Sequence, residues 1–382
     1  MAPTRCLSNL SFLLICMFSL VTSSTAADYT GNEQKAAQNW LNHGGDLYNR
    51  RYANKEKNIS PKTVSRLNLK WKFYTGGDVT VTPAVFDSTL YFPSWNGYIY
   101  AVKADDGALV WKKHLQTLTG FNNTGFILNV NSTVSRAFYV GTSSLEEGLT
   151  VELCCNFRGS LAKLDAKTGK ILWQTFMLPD NFGKKGEYAG AAIWGSSPSI
   201  DPIRNHIYIA TGNLYSAPLR TLDVPPGPSP DADFGEAPLM LTMYLNRIKH
   251  DLVVAVQKSG FAWALDRNNG SLVWSMEARP GGLGGGGMWG AATDEKRIYT
   301  NIANSQHKNF SLRPSKNTTI AGGWVAMDAK NGSVLWSTAN PSNATCPWTS
   351  YRGQWSCIWW IHICTRTHLC NECQDRKNIV VI

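Results

Sequence analysis

Residues 159–173 read GSLAKLDAKTGKILW, and this phrase decides the fold. Alternating apolar residues at its start predict a half-buried strand, while Thr168 and Gly169 supply a tight hairpin turn. The last residues predict a second strand that ends in Trp173. One hairpin cannot bury both of its faces. The phrase therefore predicts a unit that must pack against further copies of itself.

The phrase returns three times along the chain, at residues 97–111, 260–274 and 323–336, each time with a glycine turn before a strand that closes in tryptophan. Trp71 looks like the end of an earlier unit. The closing tryptophans are 40, 62, 101 and 62 residues apart. The shortest spacing fits one propeller blade, and the longest leaves room for two blades with one tryptophan missing. The sequence predicts an all-β fold, a β-propeller of repeats that each close in tryptophan.

The composition agrees with a globular β protein. Of the 382 residues, 43% are hydrophobic and only 17% are charged, and the 33 glycines suit short strands joined by tight turns. The net charge of +10 is spread along the chain without a dense basic run. We therefore expect no nucleic-acid partner.

Residues 1–26 have the pattern of a signal peptide. Arg5 precedes an apolar stretch at 10–21, and small residues follow up to Ala26 and Ala27. This stretch is too short to cross a bilayer, and we expect no membrane span elsewhere. Acceptor triplets for N-glycans begin at Asn58, Asn122, Asn131, Asn269, Asn309, Asn317, Asn331 and Asn343. The sequence predicts a secreted glycoprotein.

Most cysteines lie outside the repeats. The repeat body contains only the adjacent pair Cys154 and Cys155. The repeat body is therefore not a disulfide framework. In an oxidising compartment the pair can close a strained ring, an unusual geometry that suggests a local function. The alternative is two reduced thiols in a strand.

The segment 346–382 does not continue the repeat frame. One interpretation is a zinc knuckle on Cys370 and Cys373 with nearby histidines, but the spacing matches no usual zinc finger. The other is a frame shift, because reading 374–382 one base forward, with synonymous codons allowed, yields AKTGKILWS, nearly a copy of 166–173. We expect a frame-shifted tail that forms no strand and cannot pair with the first strand of the propeller.

The repeats resemble those of quinoprotein dehydrogenases, and the details are similar to plant polyvinyl-alcohol-dehydrogenase-like proteins. The likeness runs from about Trp40 to Thr345 and includes an opening pattern with Gly44-Gly45-Asp46 and Arg51. It implies a propeller over residues 27–345, eight-bladed in complete relatives and partial here. It also implies oxidation of an alcohol, small or polymeric, with pyrroloquinoline quinone (PQQ) and Ca²⁺, by way of an unknown electron acceptor. The alternative is a non-catalytic or degenerate propeller that serves as a binding module or scaffold.

The resemblance also implies a calcium and quinone site. Trp194 would lie under the quinone, and Asn213 would bind calcium, which prefers oxygen ligands. Glu146 or Glu147 would be a further calcium ligand. The alternative for these two glutamates is that of solvated acids in a loop, and for Trp194 and Asn213 it is a blade opening and a strand cap.

Three further assignments follow from the resemblance. Lys258 would contact the quinone oxygens, since a cation suits the charge of a reduced quinone; the alternative is a surface lysine before a turn. Asp233 would be the general base that takes the alcohol proton. Cys154 and Cys155 would bind the cofactor like the adjacent cysteines of the family, although here they follow Glu146 and Glu147, whereas in bacterial relatives the pair lies well upstream of the glutamate.

Because a proline-rich loop follows Tyr215 closely, we expect part of a blade to be missing there.

Expression in a secreting eukaryotic host tests the leader and the glycan acceptors together. The mature chain is expected to start near Ala27, and glycosidase digestion is expected to lower its apparent mass. N-terminal sequencing and gel mobility measure these two outcomes. A soluble product that keeps Met1 and carries no glycan would contradict the prediction.

Overall fold

A computed structural model describes residues 39–51, 59–60, 62–79, 81–119, 130–134, 137–144, 146–150, 153–193, 197–218, 233–245, 247–282, 284–288, 290–345 and 378–381. For Thr119, 130–134, Glu147 and 378–381 it describes the backbone alone. The proposed signal peptide lies outside this part of the chain. None of the described residues forms a helix with the length and apolar character that crossing a bilayer requires.

Short antiparallel strands make up nearly all of the regular structure. After β1 (Trp71–Tyr74), the first four-stranded sheet consists of β2 (Ala84–Phe86), β3 (Thr89–Ser94), β4 (Tyr98–Lys103) and β5 (Leu109–His114). The second consists of β6 (Val130–Val134), β7 (Ala137–Thr142), β8 (Ser160–Asp165) and β9 (Ile171–Phe176). The helical pieces are one turn, α1 (Gln116–Thr119), and the 3₁₀ turns Val64–Arg66 and Glu146–Gly148.

The middle of the chain has shorter strands, β10 (Ala189–Gly190), β11 (Ser199–Asp201), β12 (His206–Tyr208) and β13 (Leu214–Ser216), which pair as β10 with β13 and β11 with β12. A third four-stranded sheet follows with β14 (Leu239–Leu245), β15 (Ile248–Val256), β16 (Phe261–Asp266) and β17 (Leu272–Glu277). The fourth joins β18 (Ala292–Thr293), β19 (Arg297–Ile302), β22 (Gly323–Asp328) and β23 (Val334–Ala339), and the hairpin of β20 (Phe310–Ser311) and β21 (Thr318–Thr319) lies between β19 and β22 in the chain. The all-β, propeller-like fold predicted from the repeats is confirmed.

Three of the closing tryptophans, Trp71, Trp111 and Trp274, join their unit to the following one. The indole Nε1–H of Trp71 donates to the carbonyl oxygen of Ala104 at 2.9 Å, and that of Trp111 donates to Ala166 at 2.9 Å. Trp274 repeats the contact with Ala329 at 3.0 Å. In every case the acceptor stands three residues before the turn glycine of the following repeat, so each unit holds its neighbour through the same hydrogen bond.

A tyrosine makes the corresponding contact where the long tryptophan spacing leaves a gap. The hydroxyl of Tyr208 donates to the carbonyl oxygen of Arg267 at 3.2 Å, and Arg267 occupies the alanine position of its repeat. Burial, followed by the charge of Asp201, raises the pKa of Tyr208 to about 12. The Arg267 guanidinium is itself buried between Asp201 and Asp251, with contacts of 3.2 and 3.1 Å. This unit therefore joins its neighbour through a tyrosine and an ionic network.

The segment 39–51, here called the N-terminal strap, contacts the first strands of four sheets. Trp40 forms a bridge with Val85 of β2, and the later residues of the strap hydrogen-bond to β11, β14 and β18. The main-chain contacts on those three strands are donated by Ile200, Met240 and Thr293, at 2.8, 2.8 and 3.0 Å. The strap thereby connects sheets that are far apart in sequence.

The tail differs from the expectation that it forms no strand. Residues Asn378–Val381 form β24, which pairs antiparallel with β1, Trp71 opposite Val381 and Tyr74 opposite Asn378. The expectation was wrong because it relied on the lost repeat phrase. Backbone pairing with an edge strand needs only an extended segment, and Ile379-Val380-Val381 are β-branched residues that favour one. The proposed frame shift and zinc knuckle otherwise fall outside the described residues.

Glycine substitutions separate the cost of docking from the cost of backbone conformation. Gly332 has a φ of +73°, and a Cβ there would lie 2.6 Å from the Trp274 ring, so we expect Gly332→Ala to lower the free energy of unfolding by about 2–4 kcal/mol. Gly183 has a φ of +71° but open space around it, and its replacement by alanine is expected to cost about 1 kcal/mol.

Gly148→Ala is the control, because that site has neither a positive φ nor an atom within 4 Å. It is expected to change stability by less than about 0.5 kcal/mol. Urea denaturation followed by Trp fluorescence measures all three variants. Equal losses for Gly332→Ala and Gly183→Ala would show that the Trp274 contact contributes nothing.

Candidate functional site

The candidate residues lie in connections at one end of the sheets. In an antiparallel sheet, the loop before the first strand and the turn after the second meet at the same end. Asp233 precedes β14, Lys258 follows β15, and Glu146 follows β7. Asn213 follows β12. The fold therefore directs four of the sequence-predicted residues toward one side of the molecule.

Asp233 and Lys258 form an ion pair. The Lys258 Nζ lies 2.7 Å from Asp233 Oδ2, and the side chains are 15% and 2% exposed respectively. Their backbones are also joined, since the Lys258 N–H donates to the Asp233 carbonyl oxygen at 2.9 Å. Burial raises the pKa of Asp233, and the neighbouring Lys258 ammonium opposes that rise. A buried carboxylate with a raised pKa is a stronger base than an exposed one.

Asn213 is attached to the same carboxylate. Its backbone N–H donates to Asp233 Oδ1 at 2.6 Å, and its side-chain amide donates to the Leu214 carbonyl oxygen at 3.1 Å. The side-chain oxygen Oδ1 is buried and has no hydrogen-bond partner. A buried amide oxygen without a donor costs free energy unless a ligand, water or cation meets it. This atom is thus available as an oxygen ligand.

The loop after β7 contains a disulfide between Cys154 and Cys155 and is folded around Glu146. Glu146 Oε2 accepts the backbone N–H groups of Asn156 and Phe157 at 3.0 and 2.8 Å. The Cys155 Sγ lies 3.4 Å from the Glu146 carbonyl oxygen. Of the two alternatives for the cysteines, the structure contains the ring. Glu146 is not a freely solvated acid, because its carboxylate shapes this loop.

Tyr215 links that loop to the strand that follows Asn213. Its hydroxyl donates to the carbonyl oxygen of Ser144 at 3.0 Å, and its ring is stacked on Phe157 with centroids 6.5 Å apart. The Glu146 loop and Asn213 are therefore held on neighbouring elements. The side chain of Glu147 and all of Trp194 lie outside the described residues, and their proposed roles stay predictions.

Glycines surround Lys258 closely. The N–H of Gly286 donates to the Lys258 carbonyl oxygen at 2.8 Å, and a Cβ at Gly286 would lie 2.5 Å from the Cα of Gly260. A side chain at Gly286 would push the 284–288 loop away from the lysine. The glycine run is thus the close-packed connection into the next sheet, and it fixes the backbone on which Lys258 stands.

Sequence reasoning missed Glu236, three residues after Asp233. It is fully buried, its Oε1 accepts the Val256 N–H at 2.8 Å, and its Oε2 has no hydrogen-bond partner. Burial raises the pKa of Glu236 to about 8, against the opposing effects of the Val256 N–H and the Arg51 charge. The sequence contained one signal for this residue. Glu236 is an acid among the small or apolar residues Gly235, Ala237 and Pro238, directly before a strand of mostly buried apolar residues, and this position favours burial of its carboxyl.

Together these features define a class of protein: a propeller of PQQ-type repeats whose polar connections converge at one end of the sheets. The chain belongs to the family described as outer membrane protein assembly factor BamB, whose model matches residues 62–276.

The chain is also similar in sequence to the superfamily of PQQ-dependent alcohol dehydrogenases. A protein named polyvinylalcohol dehydrogenase from Sphingopyxis sp. (strain 113P3) is 26% identical over 360 residues, covering 78% of this chain and 52% of the relative. One of the same name from Pseudomonas sp. is 27% identical over 310 residues, covering 68% of this chain and 45% of the relative. The chain spans about half the length of these relatives.

The solved quinohemoprotein alcohol dehydrogenase from Comamonas testosteroni has the same fold. It superimposes with a TM-score of 0.56 at 15% identity, over 82% of this chain and 68% of the other. At that identity the likeness concerns the fold alone.

The raised pKa of Glu236 predicts a pH dependence of stability. Because the carboxyl binds its proton more tightly in the folded state, the free energy of unfolding decreases as pH rises from the unfolded value of 4.5 to the folded value of about 8. Glu236→Gln removes this dependence, which amounts to at most about 1.4 kcal/mol per pH unit in that window. Urea denaturation of both proteins at several pH values between 5 and 8 measures it. Parallel curves for the two proteins would refute the prediction.

Proposed function

We propose that this chain is a quinoprotein-type oxidoreductase that oxidises an alcohol with PQQ and Ca²⁺ in the secretory pathway or outside the cell. The observation that carries the proposal is the group of Asp233, Lys258 and Asn213, which combines a buried carboxylate, a cation and an unpartnered amide oxygen. The similarity to PQQ-dependent alcohol dehydrogenases supports the same reaction class.

The donor atoms suit a hard cation in part. Asn213 supplies an oxygen that no protein group engages, and carboxylate and amide oxygens are the ligands that calcium prefers. Glu146 would contribute through Oε1, since Oε2 already accepts two backbone N–H groups. The described residues include no cluster of three or more His, Cys, Asp or Glu residues that could hold a metal. A calcium ion here would therefore depend on Asn213 Oδ1, on Glu146 Oε1 and on ligands from the bound quinone.

A bound quinone would supply the acceptor for the hydride of the alcohol, and calcium would supply a Lewis acid for the quinone carbonyl. Asp233 takes the hydroxyl proton of the alcohol, so that loss of this proton and of the hydride leaves the carbonyl product. Its Oδ2 is held by Lys258 and its Oδ1 by the Asn213 N–H, which orients the carboxylate before the substrate arrives.

Lys258 and the cysteine pair would form the rest of the pocket. The Lys258 ammonium can balance negative charge that develops on the quinone oxygens, and Asp233 keeps this ammonium at a defined place. The ring of Cys154 and Cys155 would lie beside the cofactor as a rigid wall, and Trp194 would lie beneath it. The electron acceptor and the alcohol would reach the site from the end of the sheets where these connections meet.

A non-catalytic propeller that acts as a scaffold is the second candidate. The family description of an assembly factor favours it, as does the use of Glu146 Oε2 by the backbone of its own loop. A scaffold needs the repeat surfaces and no quinone. The two functions therefore make opposite predictions about quinone binding.

Binding of PQQ to the purified protein tests the choice. We expect added PQQ to quench Trp fluorescence only when Ca²⁺ is present. Asn213→Ala should raise the Ca²⁺ concentration needed for quenching by about tenfold or more, since it would remove an oxygen ligand of the ion. Asn268→Ala, in an exposed turn, is the matched control and should bind like the wild type. Quenching that depends on neither calcium nor Asn213 would favour the scaffold. If quenching does require both, reduction of a dye in the presence of an alcohol measures turnover.

A further inference from the structure

The segment that contains Asp233 is attached to the end of β15 at two points. Asp233 accepts the Lys258 backbone N–H on its carbonyl oxygen and the Lys258 Nζ on its carboxylate. Three residues further on, Glu236 Oε1 accepts the N–H of Val256, two residues before Lys258. The carboxylates of Asp233 and Glu236 thus contact the same short stretch of chain.

The second attachment point, at Glu236, is more buried than the Lys258 side chain at the first. Glu236 is fully buried, whereas the Lys258 side chain retains 15% exposure. The Val256 N–H lies at the end of β15, where the strand turns toward Lys258. Loss of this hydrogen bond would free a backbone donor in the interior and allow the turn to shift.

The carboxyl of Glu236 also interacts electrostatically with a residue of the N-terminal strap, Arg51. The guanidinium of Arg51, a buried residue of the strap, would lie 1.9–2.3 Å from a Cβ at Gly290, so it rests directly on the Gly290 backbone. The Gly290 N–H and the Arg51 charge both act on the Glu236 carboxyl. Arg51 also donates to the Ala291 carbonyl oxygen at 2.8 Å. Glu236 therefore lies where the strap, the Asp233 segment and the connection into β18 meet.

We propose that Glu236 is a positioning residue for the Asp233–Lys258 pair, acting through its hydrogen bond to the Val256 N–H. Its role in a reaction rests on the proposed function, because that function makes Asp233 the base. The contact itself is a property of the folded chain. It sets where Lys258 stands relative to the Asp233 carboxylate, without Glu236 touching a substrate.

Two conservative variants separate side-chain reach from the presence of a carboxyl group. Glu236→Gln keeps the length and the acceptor oxygen but removes the ionisable carboxyl next to Arg51. Glu236→Asp keeps a carboxyl but is shorter by one methylene, about 1.5 Å, and cannot reach Val256 without backbone movement. If reach is what matters, the glutamine variant behaves like the wild type and the aspartate variant does not.

The readout is the rate of reductive methylation of Lys258, followed by mass spectrometry at neutral pH without PQQ or alcohol. In the wild type, Lys258 should react slowly because its Nζ is ion-paired and mostly buried. We expect Glu236→Asp to accelerate labelling of Lys258 by about tenfold, the change that loss of a hydrogen bond makes in a local opening equilibrium. Hydrogen exchange of the peptide that contains Val256 should accelerate in the same variant.

Two controls define the assay. Asp233→Asn removes the ionic partner and should accelerate labelling of Lys258 directly. Asp201→Asn removes a buried carboxylate of the Arg204 and Arg267 network, so it lowers stability but should leave Lys258 unchanged. Unchanged labelling in Glu236→Asp, or equal acceleration in Glu236→Asp and Glu236→Gln, would overturn the proposal. Since no quinone is used, these outcomes are independent of whether the proposed function holds.

Discussion

The docking of closing tryptophans on the turn of the following repeat is the constraint on which the rest of the fold depends. At Trp71, Trp111 and Trp274 the indole packs on a glycine of the next repeat while its N–H satisfies a backbone carbonyl. The glycine is obligatory, since a Cβ at Gly107 or Gly332 would lie 2.7 or 2.6 Å from the ring. Sheets that dock in series bring their loops to common ends, and one of these ends contains the candidate site.

The N-terminal strap and the Tyr208 contact hold the sheets together where the tryptophan series is interrupted. Tyr208 donates to the carbonyl oxygen that a tryptophan would otherwise use, and Arg267 occupies the space beside it with two aspartates as partners. A buried arginine of this kind is tolerated only because its charge is paired. The strap adds backbone hydrogen bonds to inner strands of several sheets, so it shares the interior with the residues that shape the site.

The candidate site contains two buried carboxyl groups that have different partners. Burial raises the pKa of both, but the Lys258 ammonium opposes the rise at Asp233, whereas the pKa of Glu236 reaches about 8. In the proposed function Asp233 is the base, and Glu236 is a neutral group that accepts a hydrogen bond. Both stand on one short segment before β14, which makes that segment the part of the chain where fold and chemistry are most closely coupled.

The sequence by itself determined the all-β repeat architecture, because the strand, glycine turn and closing tryptophan are local signals read over about fifteen residues. It also indicated Asp233, Lys258 and Asn213, although through resemblance and not through any local pattern. Only the tertiary structure decided that these three are in contact and that Glu236 supports them, since the hydrogen bonds join residues 20 or more positions apart. The pairing of β24 with β1 belongs to the same category: strand pairing is set by which edge lies free in space, and a sequence carries no local record of that.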